Sequence, residues 1–159
     1  CMNIFYLDND PKIAAQYHCD KHVVKMILET AQLLCSAFHL QNVEAPYRKT
    51  HVNHPSSVWA RESSANFDWL LKLGFHLCNE YTSRYNKEHK TLAVLYWCLV
   101  NKNLLSFKSD SFTEPTLAMP DEYKSDDHII SYRNYYIHEK ASIAVWKNSP
   151  TPNWFSYEQ

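Results

Sequence analysis

The sequence predicts a mainly α protein: a compact orthogonal bundle of five or six helices with a short N-terminal extended segment. Three observations carry this expectation. Apolar residues recur at helical spacing through long stretches of the 159 residues. The helix-opening pairs Asp10-Pro11 and His54-Pro55 stand ahead of two such stretches. Glycine occurs once, at Gly74, so almost no connection relies on a backbone conformation that glycine alone favours. No internal repeat or low-complexity tract is visible, and residues 1–159 read as a single helical domain.

Residues 3–8 read as a short strand or extended lead-in. Asp10 is placed to cap a helix that begins at Pro11. That helix either breaks near His18 or runs on to about His39. Asp20 decides between these. In a continuous helix it lands in the apolar face, where a lone carboxylate is costly; it fits a new helix start or an internal cation partner. A break just before Asp20 is therefore expected. Residues 40–53 form a polar loop with Pro46. His54 precedes proline and is expected to be extended, with Pro55 opening the next helix. A longer helix over about 64–86 carries Phe67, Leu70, Leu71, Leu77, Cys78 and Tyr81 on one stripe. Gly74 lies within that stripe, and the close approach of another helix is the expected reason for it. Another helix spans about 90–104, residues 105–128 form a loop with turns at Pro115 and Pro120, and a last helix spans about 129–147 and runs to Trp146. Trp154 and Phe155 are expected to dock on the body.

Hydrophobic residues at 45% and charged residues at 21% describe a folded globular chain. No apolar run approaches the roughly 18 residues of a membrane span, and Asp8 and Asp10 interrupt any secretory signal, so no membrane partner is expected. The five cysteines form no CxxC pair and fall mostly within helical patterns, which reads as reduced thiols in a cytoplasm. The net charge of −1 gives no global basic field, which leaves nucleic-acid binding to a local patch. Glycine-rich phosphate loops are excluded. Aromatics reach 14%, which suits a core with tyrosine hydroxyls at its rim or a stacking surface for bases.

The stretch from His18 to His39 is the centre of the functional reading. On one helix, Lys21, Lys25, His18, Glu29, His22, Gln32, Ser36 and His39 occupy about a third of the circumference. Cys19, Val23, Val24, Met26, Ile27, Leu28, Ala31, Leu34 and Phe38 fill the rest. A helix apolar round most of its girth is buried, so its narrow polar stripe faces a cleft or a partner. Ionisable groups of both signs, half desolvated, are where pKa values move.

Several constellations grow from this stripe. His18 and His22 share a helical face, and His51 and His54 form a second pair; together they make an optional divalent-metal set, although Lys21 and Lys25 beside the first pair repel a cation, so no metal is assigned. Lys21 and Lys25, next to Asp20 and Glu29, either hold phosphate or attack an aldehydic carbon. A plain Lys25–Glu29 ion pair is the alternative. Trp59 with Arg61, and Tyr132, Arg133 and Tyr136 with Glu139, interleave rings and charges as nucleic-acid surfaces do, or else form a core helix with paired hydroxyls. Residues 119–124 read as a rim or as an ordinary turn. Cys1 offers a free amine and thiol if a preceding methionine is removed; otherwise it is an addition ahead of Met2.

The ordered motifs Tyr17 to Glu29, Thr50 to Glu62, Met119 to Lys124, Tyr132 to Lys140 and Pro152 to Phe155 resemble a family of small proteins of tailed bacteriophages and some bacteria, some of them described as pyrimidine-dimer DNA glycosylases. The resemblance spans nearly the whole chain. It implies a phage-associated role in DNA or nucleotide metabolism. In such glycosylases a small N-terminal residue is the nucleophile and a glutamate in a following helix assists; Cys1 stands nearest the first role here.

The leading expectation is an enzyme acting on a DNA base or nucleotide, by excision or modification, in the cytoplasm of a cell that is infected where a phage encodes the chain. Asp20 and Glu29 would do acid–base work, with Lys21 and Lys25 attacking the sugar or holding phosphate. His18, His22, His51 and His54 would line the pocket. Arg61 and Arg133 would anchor the backbone, and Trp59, Tyr132, Tyr136 and Glu139 would contact the base. A non-catalytic protein that docks a host or phage partner is the second expectation, and a metal-dependent hydrolase the third.

Overall fold

The computed structural model describes residues 3–156. After an extended lead-in come α1 (Pro11–Tyr17), α2 (Asp20–Leu40), α3 (Pro55–Glu62), α4 (Ser64–Tyr85), α5 (Leu92–Asn101) and α6 (His128–Lys140), with short 3-10 turns at Lys102–Leu104 and Asp121–Tyr123. The mainly α architecture is as expected. Among the described residues there is no strand, and residues 3–7 are a buried extended segment. α2 and α4 form the central pair; α1 and α5 pack on α4, and α3 packs on both.

The break before Asp20 is present. Asp10 caps α1, its carboxylate accepting the Lys12 N–H at 2.8 Å. α1 ends at Tyr17, and α2 starts at Asp20 with Cys19 as an extended cap residue. The cation that Asp20 needs is Arg84, near the end of α4. Arg84 is only 2% exposed. Its five N–H groups all donate: Nε and one Nη2 to Glu80 Oε1 (3.2 and 3.0 Å), the other Nη2 to the Gln16 carbonyl (3.0 Å), and Nη1 to the His18 carbonyl (2.7 Å) and Asp20 Oδ1 (3.1 Å). One guanidinium thus satisfies the carbonyls freed by the break and the carboxylate that begins the next helix.

α6 ends at Lys140, short of the expected Trp146. The reason is tertiary. Residues 145–147 peel away to fill the gap between α1 and α2: the Val145 carbonyl accepts the Asp20 N–H, Trp146 Nε1 donates to the Tyr17 carbonyl, and the Lys147 N–H donates to the Asp20 carboxylate at 2.9 Å. Beyond them Trp154 packs on Tyr17 and Tyr136, and Phe155 packs on Trp146, as expected of the tail.

Gly74 sits where α4 touches α2 and α5 together. A Cβ there would lie 3.1 Å from both δ carbons of Leu95 and 3.2 Å from Thr30 Cγ2. With so little glycine, other residues take the left-handed turns: Asn42, His51, Asn86 and Asn148 all have φ between 48° and 63°. Asn86 closes α4, its N–H donating to the Thr82 carbonyl. α2, 21 residues long, holds an 18-residue window of mean hydropathy 1.3, long and apolar enough to cross a membrane, which the sequence reading had excluded; 67% of that window is buried inside the protein, as a central core helix requires.

Breaking the Arg84 hub leaves buried acceptors and two carboxylates without their cation. Arg84→Met is expected to lower the urea-derived unfolding free energy by about 3–5 kcal/mol. Arg84→Lys, with three donors for four acceptor atoms, should recover only part of the loss. A loss below about 1 kcal/mol for Arg84→Met in the same melts would remove the hub from the account.

Candidate active site on the polar stripe of α2

The lead-in lies across the first two turns of α2, and α6 closes the other side. Phe5 stacks on the His22 ring with centroids 4.4 Å apart and planes 14° apart, and meets Tyr136 edge-on at 5.4 Å. The Tyr136 hydroxyl lies 2.7 Å from His22 Nδ1 and accepts the Cys19 N–H at 2.9 Å. His18 Nδ1 stands 2.6 Å from the Ala14 carbonyl, which can only accept, so the proton is on Nδ1. His18 Nε2 is then a buried lone pair with no partner. Burial pushes His18 down to about 4. Burial, with the nearby His18, Lys140 and Lys25, pushes His22 down to about 3. Both imidazoles are neutral at ordinary pH.

Glu29, two turns further along α2, is 7% exposed. Its Oε2 lies 3.6 Å from Lys25 Nζ, a side chain that is half exposed, and its Oε1 has no hydrogen-bond partner. Burial raises the Glu29 pKa, and the charges of Lys25 and His51 only partly oppose it. His51 approaches from the loop before α3. Its backbone is left-handed (φ 48°) and its Nδ1 pairs with Thr50 Oγ1 at 2.7 Å. His54 caps α3, its Nδ1 accepting the Ser56 N–H at 3.0 Å, and burial together with His51 lowers its pKa. Ser56 in turn donates to Asn3 Oδ1, which ties this corner to the lead-in. Lys140 extends over the Phe5 and Tyr135 rings at 6.0 and 5.3 Å. The result is an undercommitted carboxyl beside Lys25 and His51, two turns along α2 from neutral imidazoles that Phe5 and Tyr136 enclose. Such a group can hold or move a proton beside an anionic substrate.

The structure thus gathers His18, His22, Lys25, Glu29, His51, His54 and Tyr136 in one region. It does not gather the rest of the expected set. Asp20 is occupied by Arg84 and the Lys147 N–H. Lys21 is exposed on the solvent side of α2. Trp59 is buried and donates to the Thr113 carbonyl. Arg61 donates to Ser57 and lines a separate cavity beside Leu40 and Lys108. Tyr132 is wholly buried, its hydroxyl donating to the Thr116 carbonyl at 2.5 Å, so neither it nor the equally buried Tyr136 has a free face for a base. Arg133 pairs with Asp8 and the Leu7 carbonyl between the Tyr17 and Trp154 rings. Glu139 accepts from the Tyr123 hydroxyl. The ring that α6 does offer is Tyr135, half-buried and stacked on Phe5; sequence reasoning missed it together with Phe5 and Lys140. Among the described residues no group of three or more His, Cys, Asp or Glu is arranged to hold a metal ion. Cys1 lies outside the described residues.

The polar stripe is also rotated from its expected position. Val24 and Leu28, assigned to the buried side, are 40% and 39% exposed, while His18 and His22 are covered by Phe5 and Tyr136 and Glu29 is buried as well. The buried imidazoles have a consequence for stability. Their folded pKa values lie below the ordinary 6.5, so the unfolded chain takes up protons first as pH falls. The stability present above pH 6.5 is lost as pH drops toward about 4 for His18 and about 3 for His22. His18→Asn, which keeps a donor for the Ala14 carbonyl, should flatten this fall by on the order of 2–3 kcal/mol between pH 6.5 and 4. Urea melts across that range check it, and parallel pH profiles for the two proteins would contradict it.

No curated protein and no solved structure matches the chain. A family model does match, described as pyrimidine dimer DNA glycosylase, over residues 2–93. That span takes in the lead-in, α2 with Glu29, and the His51–His54 corner, and more than half of the 159 residues. DNA is accordingly the substrate or partner of a base-acting protein, and the chain belongs to the pyrimidine dimer DNA glycosylase family.

Proposed function

We propose that this chain excises a lesioned pyrimidine base from DNA, with Glu29 as the carboxyl group that moves the proton. The observation that carries this reading is the state of Glu29: buried, one oxygen unpartnered, its pKa raised, with Lys25 and His51 beside it. A structural ion pair would be satisfied on both oxygens. A carboxyl whose pKa is raised toward working pH is suited to take and return protons.

In the proposed reaction an amine forms a bond to C1′ of the sugar. The bond from C1′ to the base nitrogen breaks, and its electron pair leaves with the base, which takes up a proton. Glu29 accepts the proton shed by the attacking nitrogen and passes one to the ring oxygen as the sugar opens to an imine. Lys25, 3.6 Å from Glu29, is one source of the amine; the family resemblance points to the start of the chain as the other. Lys140 and Lys21 neutralise backbone phosphate, and the half-buried Tyr135 is the ring against which an extruded base rests. The four buried free cysteines fit a reducing cytoplasm, infected where a phage encodes the chain.

Borohydride trapping on duplex DNA carrying pyrimidine dimers tests this directly. A covalent protein–DNA adduct is expected, and peptide mapping of it identifies the amine. Glu29→Gln should reduce excision by about 10²–10⁴-fold with DNA affinity changed only a few-fold. Absence of an adduct, or full excision by Glu29→Gln, would overturn the proposal.

A further inference from the structure

Beside Glu29, on the exposed side of α2, lies a hollow of about 400 Å³ lined by Leu28, Gln32, Tyr47, Arg48, Lys49 and Thr50, with Pro46 at its edge. We infer that this cradle is a binding subsite for the DNA backbone, seating phosphates of the strand whose base enters beside Glu29. The inference deepens the excision reading and rests on it for the strand's identity.

Three observations support it. The first is charge. No carboxylate lines the hollow, and neither Arg48 nor Lys49, both exposed, makes an ion pair among the described residues. Two uncompensated cations around a polar hollow, on a chain of net charge −1, form a local positive site. The second is rigidity. The strap 46–50 is fastened to α2 at both ends: His39 Nε2 donates to the Tyr47 carbonyl at 2.8 Å, and Ser36 Oγ accepts the Thr50 N–H at 3.1 Å. The Tyr47 hydroxyl is pinned to Thr91 Oγ1 at 2.8 Å. A pre-positioned cradle loses little freedom when it binds. The third is continuity. Leu28 and Gln32 flank Glu29 on α2, and Thr50 precedes His51, so the hollow adjoins the Glu29–His51 site. Polar stripe residues of α2 that the excision chemistry leaves unused, Gln32, Ser36 and His39, are used here.

The test measures affinity for an undamaged duplex by fluorescence anisotropy at several salt concentrations. It compares the parent chain with Arg48→Glu plus Lys49→Glu. A second variant, Lys12→Glu plus Lys72→Glu, changes net charge equally on exposed positions of α1 and α4. Thermal melts verify that both variants fold. The strap variant should bind at least 10-fold more weakly, and its log–log salt slope should fall by about 2, while the α1–α4 variant changes affinity less than 3-fold. Equal losses in the two variants, unchanged affinity in the strap variant, or a parent that does not bind duplex DNA would each overturn the inference. Excision is scored separately on dimer-containing DNA. A strap variant that keeps full affinity beside an active parent defeats the cradle alone; a parent that binds through the strap yet never excises defeats the excision reading alone.

Discussion

Arg84 is the group on which the arrangement of this protein depends. A chain that is apolar and helical from residue 11 to residue 40 would bury a lone carboxylate at Asp20 if it stayed one helix. The break at His18 and Cys19 avoids that, but it frees backbone carbonyls in the interior. Arg84, brought by α4, answers both problems with five donors, and residues 145–147 close the gap from the other side. With the break in place, α2 leaves α1 in a new direction. The lead-in can then lie across its first turns, with α6 packing beside it. Buried ion pairs are weak sources of net stability. This one selects a single path for the chain, and every group near Glu29 takes its position from that path.

The start of α2 and its third turn hold two kinds of buried polar group. His18 and His22 are covered and neutral, with hydrogen bonds to a carbonyl and to a tyrosine hydroxyl. They shape the floor and carry no charge. Glu29 is covered but left with an open oxygen, close to cations that are themselves partly in water. The first arrangement carries no charge and leaves only the neutral His18 Nε2 lone pair unpartnered. The second leaves polar capacity unused, which ordinary packing eliminates, and it lies in the part of the chain where the family match falls.

The sequence made the broad plan legible wherever a local conflict had one solution. Asp20 on an apolar face implied the break, Gly74 on a helix stripe implied a close neighbour, and His54 before Pro55 implied a helix opening. What stayed hidden depended on partners distant in sequence. Arg84 is 64 residues from Asp20, and nothing local marks it as that partner. The end of α6 is set by hydrogen bonds to the start of α2, so helical spacing alone carried it too far. The tyrosines of α6 lie on more than one face, and composition does not say which turns inward; Tyr132 and Tyr136 do, and Tyr135 does not. On α2 the stripe and its partial burial were legible, but the whole apolar remainder was read as interior. The helix turns instead so that Phe5 covers His22 while Val24 and Leu28 remain open to solvent.

The account stands on Glu29 being a carboxyl that the fold holds in its protonated form above the usual pH. Carbon-13 NMR of protein labelled at the glutamate side-chain carboxyls measures this directly, with the spectrum of a Glu29→Gln chain assigning the resonance. One glutamate is expected to titrate above the ordinary value of about 4.3, and its midpoint should rise further when Lys25 is replaced by methionine. A Glu29 resonance that titrates at or below the ordinary value would show a solvated, ion-paired carboxylate and would contradict the account.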